Sequence, residues 1–191
     1  MSDATDPAFR PAARTTRLGP IVLAVAAGAA VSVGLGVYAG VHEPTGVAVN
    51  LAGFSSFLAV KTWLTTIAVV LAIVQLLSGM ALFGRLGRVS AGRGVAALHR
   101  WSGRVAVAVT VPVAAHCLFA LGFQTYSTRV LLHSLLGCFF YGVFVCKMLA
   151  LTRKDSPGWV LPALGGAVFA ALVALWFSSA YWFFTTVGFT F

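Results

Sequence analysis

Of the 191 residues, 60% are hydrophobic and only 9% are charged, against roughly 25% charged in a soluble domain, which excludes a water-soluble globular fold. Thirteen Lys and Arg against four Asp and Glu give a net charge of +9. The basic residues stand singly between long uncharged stretches rather than in a polar domain, so the charge marks the edges of a lipid bilayer and nucleic acid is excluded as a partner.

The segment 1–17, MSDATDPAFRPAARTTR, has little to bury and is expected to be a disordered cytoplasmic tail. A spanning helix needs about 20 apolar residues, and five uncharged or nearly uncharged runs follow: Leu18 to Val41, Phe57 to Phe83, Val105 to Phe123, Val130 to Leu151 and Trp159 to Phe184. The runs are continuous rather than alternating, which predicts an all-α, polytopic, five-helix transmembrane bundle over residues 18–191 rather than a barrel. The first run is too long for a secretory signal core and precedes four more, so it is expected to stay as helix one. Ser156-Pro157 is expected to cap and start the fifth helix.

Eleven of the thirteen basic residues fall on one side of these spans, leaving Lys61 and Arg129 on the other. This predicts a plasma-membrane protein with its amino terminus in the cytoplasm and its carboxyl terminus outside. Trp101 and Trp159 fall at the inner boundary, and Tyr38, Trp63, Tyr126, Tyr181 and Trp182 at the outer one. Small residues four apart, Ser32, Gly36 and Gly40 on helix one and Gly166, Ala170, Ala174 and Ser178 on helix five, predict ridges that hold the bundle together.

Two of the four histidines fall in hydrocarbon, where a polar ring is a functional hypothesis by default. His116 lies six residues before Gly122, the expected end of helix three, and His133 lies five residues after Thr128, the expected start of helix four. At 1.5 Å per residue both rings sit about 8 Å below the same surface. The short connection Phe123 to Ser127 is expected to make these helices neighbours. Two imidazoles from facing helices at one depth suit bis-histidine ligation of haem b iron. Gly137, one turn after His133, leaves room for a porphyrin plane, as Ala115 and Ala120 do beside His116. Cys117 and Cys138 fall off the faces of their histidines, against a zinc or copper site, and no CxxC spacing is present among the three cysteines.

His99, Arg100 and Arg104 form the basic inner end of helix three. The arginines suit lipid phosphates or the carboxylates of a cofactor, and His99 is expected to be solvated, at a lipid phosphate, or a ligand on the inner side. It has no histidine partner there, so a second haem is not expected. His42, in the outer connection, is expected to be solvated.

The stretches HRWSGR at 99–104, PVAAHC at 112–117 and LLHSLLGCFFYG at 131–142 resemble a family of small multi-pass membrane proteins of high-GC bacteria whose function is unknown. The basic HR…G start of a helix, with further histidines on neighbouring helices, is also similar to the membrane cytochromes b that include ascorbate-linked and ferric reductases. The second resemblance implies a haem b electron carrier. A quinol is then the expected donor and a redox protein the expected acceptor, as in a quinol- or ferric-reductase-like component. The competing expectation is a non-redox membrane subunit or small transporter, disfavoured because no Asp or Glu falls inside a span.

Overall fold

The computed structural model describes residues 19–47, 54–87, 92–153 and 156–191, so the tail expected over residues 1–17 lies outside the described residues. Every regular element among them is helical. We number the helices α1 (Gly19–Val41), α2 (Phe57–Leu82), α3 (Arg93–His116), α4 (Thr128–Leu151), α5 (Val160–Trp176) and α6 (Trp182–Thr186). A π-helical segment, Cys117–Leu121, continues α3, and another, Phe177–Tyr181, joins α5 to the short α6. Five continuous helices are long and apolar enough to cross a membrane: α1, α2, Arg93–Leu121 (α3 with its π extension), α4 and Val160–Thr186.

Local chemistry sets two of the starts as capping rules require. Ser56 accepts from the Ala59 amide at 3.2 Å, and Ser127 from the Val130 amide at 3.3 Å. The fifth span departs from expectation: it begins at Val160, and Ser156 Oγ is buried with no partner among the described residues instead of capping it. Helix α3 begins at Arg93, 12 residues before the uncharged run. The absence of charge locates the hydrocarbon-facing part of a helix, whereas residues 93–104 continue it amphipathically, with Ser102 buried and Arg100 and Arg104 exposed.

The closely packed pairs are α2 with α3, α1 with α4, α4 with α5, and α2 with α5. Helices α3 and α4 are not among them, contrary to what the short Phe123–Ser127 connection predicts. A hydrogen bond of 3.0 Å from Tyr141 Oη to Thr110 Oγ1 bridges them. Nearby, Phe140, Ala68, Ala72, Ala171 and Leu172 form the buried core. Buried hydroxyls do not disturb these interfaces, because Thr65, Ser78 and Thr110 donate back to carbonyls of their own helices at 2.6 to 2.8 Å.

Small residues place α1 against α4. A Cβ built on Gly28 would stand 2.5 Å from the Gly142 carbonyl oxygen, and one on Gly142 the same distance from that of Gly28. Ser32 donates to the Cys138 carbonyl at 3.1 Å across the same seam. The expected ridge on helix one is thus shifted toward Gly28: a Cβ on Gly36 would make only ordinary contact with Cys138, and one on Gly40 would meet nothing within 4 Å. On α5, Gly166 and Ala170 are exposed, so the lower half of that ridge faces away from the bundle.

At the end where α1 and α3 finish and α2 and α4 begin, backbone bonds tie the chain together. The amides of Thr45 and Phe123 donate to Phe119 and Ala39 carbonyls at 3.0 and 2.8 Å. Gly122 makes this turn at a φ of 71°, a conformation that favours glycine. The carboxyl-terminal residues dock on α2, with Trp63 Nε1 donating to the Thr190 carbonyl at 2.9 Å and the Trp63 and Phe191 rings stacked at 4.6 Å.

Candidate functional site

Because α3 is packed on α2 while α4 is packed on α1 and α5, the bundle leaves a partly open cavity of about 650 Å³ between them. Phe140 and Leu172 belong both to its wall and to the core below. Its size lies in the range of small-molecule and cofactor sites. Both π segments contribute wall residues, Cys117, Leu118 and Leu121 from one and Ser178 and Ser179 from the other. A π turn adds a residue and re-aims the side chains beyond it, and such turns recur at functional sites.

His133 lines the cavity, and its Nδ1 lies 2.9 Å from Ser178 Oγ. Ser178 Oγ also lies 3.1 Å from the Leu175 carbonyl; with its hydrogen on that carbonyl, the serine oxygen accepts from a protonated Nδ1. In that tautomer the lone pair is on Nε2, the form a metal-ligating imidazole needs, and Ser178 is the supporting partner. Gly137, one turn on, also lines the cavity, and a Cβ there would meet nothing within 4 Å.

His116 is placed differently. Its neighbours Val113, Ala114 and Cys117 line the cavity, but the His116 ring packs on Phe57, centroids 5.1 Å apart, and is not part of the wall. Its Nε2 is buried with no hydrogen-bond partner among the described residues. Of the two histidines predicted as a pair, only His133 lines the cavity, while His116 is packed on Phe57 beside it.

The remaining predicted residues lie away from the cavity. Arg100 and Arg104 are exposed, the latter with its guanidinium 5.1 Å from the Trp101 ring. His99, expected in solvent or at lipid phosphate, is packed against α2 instead. Its Nδ1 lies 3.2 Å from the Gln75 carbonyl and 3.0 Å from Ser78 Oγ, and Gln75 Nε2 donates to the His99 carbonyl. Gly79 makes the space, since a Cβ there would stand 3.3 Å from the imidazole. His42, also expected in solvent, stacks on Tyr38 at 5.1 Å and meets Phe119 edge-on.

Sequence reasoning missed two residues of the wall, Lys61 and Arg129, having counted them only toward topology. They stand four residues into α2 and one into α4, at the end of the bundle that holds the cavity. Arg129 donates to the Ser178 carbonyl at 2.5 Å and its guanidinium lies 4.2 Å from the Trp182 ring. Around them the wall offers Thr62, Thr65, Gln124, Ser134, Ser179 and Tyr141 among apolar side chains, and no carboxylate. Their positions in the first turns of spans sharing one end were the available signal. Among the described residues, no three His, Cys, Asp or Glu side chains come together to hold a metal ion.

Fold and cavity together define a polytopic helical membrane protein with a largely apolar cavity whose wall includes Lys61 and Arg129. The chain belongs to the family of unknown function DUF6529, whose model matches residues 21–191. No curated protein and no solved structure was found to match it.

Proposed function

We propose that this protein is an integral membrane b-type cytochrome that holds one haem b in the cavity and passes single electrons. The observation that carries the reading is His133: an imidazole in the wall whose Nδ1 is engaged by Ser178 at 2.9 Å, so that Nε2 is the nitrogen for a ligand. The wall fits the group in other respects, since it is largely apolar, leaves open space at Gly137 and carries cations but no acid. When bound, haem b supplies a one-electron iron couple.

His116 is the second axial ligand in this reading. Its buried, unpartnered Nε2 is a desolvated group whose cost ligation would relieve. Reaching the cavity requires its ring to leave Phe57. The donor is a quinol and the acceptor a redox protein. In this reading the amino terminus is in the cytoplasm of a plasma membrane and the cavity in the outer leaflet, which the eleven of thirteen basic residues on one side support.

The test is a reduced-minus-oxidised spectrum of protein purified after expression with ample haem, compared with His133→Ala, His116→Ala and His99→Ala. Wild type is expected to show a low-spin b-type signal, which His133→Ala loses, His116→Ala converts to high spin and His99→Ala keeps. Absence of haem from wild type would replace this reading with the non-redox subunit, and haem retained by His133→Ala would refute the ligand assignment.

A further inference from the structure

Lys61 lies in the wall of a cavity within the membrane span, and its ammonium has no hydrogen-bond acceptor among the described residues, only the Phe57 ring, 5.8 Å away. Arg129 lines the same cavity, and its guanidinium is only partly satisfied by one carbonyl and the Trp182 ring. Both are within electrostatic reach of the His133 ring. The wall holds no carboxylate among the described residues, where Glu43 is exposed and outside the lining. Unpaired cations facing a cavity in a span are expensive unless something anionic completes them.

We propose that Lys61 and Arg129 form a carboxylate clamp, so that the cavity takes an amphipathic ligand with an apolar body and acid groups at the end of the bundle where α2 and α4 begin. On the haem reading, on which this assignment of the ligand rests, the acid groups are the two propionates. The apolar body then lies toward Phe140, Leu172 and Leu175, below the cations. Arg129 is held for this task by its bond to the Ser178 carbonyl, the residue that also orients His133, so clamp and axial ligand share one support. Arginine suits a carboxylate through its fork of donors, and lysine as a point charge.

The experiment titrates haem-depleted full-length protein in nanodiscs of zwitterionic lipid with hemin and with its dimethyl ester, in which both acids are masked. Each charge-assisted bond is worth roughly tenfold in affinity, so wild type is expected to favour the free acid at least tenfold. Lys61→Gln and Arg129→Gln each reduce that preference, the double variant abolishes it, and Lys61→Arg with Arg129→Lys retains it, which also controls for insertion. Equal binding of acid and ester by wild type overturns the clamp while leaving the haem reading intact. If neither porphyrin binds, the haem reading fails and a pyrene-labelled fatty acid and its methyl ester take their place. Preference for the acid, lost in the double variant, then supports the clamp, and no preference overturns it.

Discussion

His133 Nδ1 and Ser178 Oγ meet at 2.9 Å across the α4 and α5 spans, although 45 residues separate them in the chain. Ser178 belongs to the π segment Phe177–Tyr181, and by engaging Nδ1 it leaves Nε2 as the nitrogen that a ligand would meet. Replacing Ser178 with Ala removes the acceptor while leaving the ring in place. Supporting partners of this kind are typically worth about 10–100-fold in metal affinity, so Ser178→Ala is expected to weaken haem binding by that order, with Ser178→Thr near wild type. Equilibrium titration with hemin measures both.

Phe57 holds the His116 ring at a centroid distance of 5.1 Å. Changing that side chain to Leu removes the ring–ring contact, and the low-spin fraction of bound haem is expected to rise, because His116 then leaves its packed position at lower cost. Electron paramagnetic resonance of oxidised wild type and Phe57→Leu reads the two spin states directly. An unchanged ratio would show that Phe57 does not restrain ligation.

The α1–α4 seam has no room for a methyl group at Gly142, whose backbone faces that of Gly28. Overpacking of this sort typically costs about 1–3 kcal/mol, so Gly142→Ala is expected to lower stability by that amount. Gly40→Ala, with nothing within 4 Å of the new Cβ, is expected to be neutral or slightly stabilising. Unfolding of the purified variants in detergent with increasing denaturant separates them.

Arg100 and Arg104 lie on an exposed face, away from the cavity wall. Changing both to Gln is therefore expected to lower the amount of protein in the membrane without altering haem per protein, since boundary arginines anchor a span to phosphate. Quantitative immunoblotting against pyridine haemochrome content gives the ratio. Haem lost at normal yield would place them at the cofactor after all.

Reporter fusions after Arg93 and after Ser127 are expected to report the inside and the outside, respectively, following the distribution of Lys and Arg. The reverse pattern would move the cavity to the cytoplasmic leaflet.

Hydropathy by itself determined the five spans, because whether a segment partitions into lipid depends on its own side chains and their length. The start at Thr128 and the end at Gly122 were legible for the same local reasons, a serine cap and a glycine turn. Rotation of each helix about its axis and its choice of neighbours were not. Those depend on fits such as Gly28 against Gly142, and on π segments that each advance the side-chain phase by about 100° through an extra residue. Hence α3 packs on α2 rather than α4, His99 is drawn against Gln75 and Ser78, and His116 turns to Phe57 while His133 faces the cavity. Lys61 and Arg129 read as topology in one dimension. Only the tertiary packing, by holding α3 and α4 apart, put both cations in the wall of the same cavity.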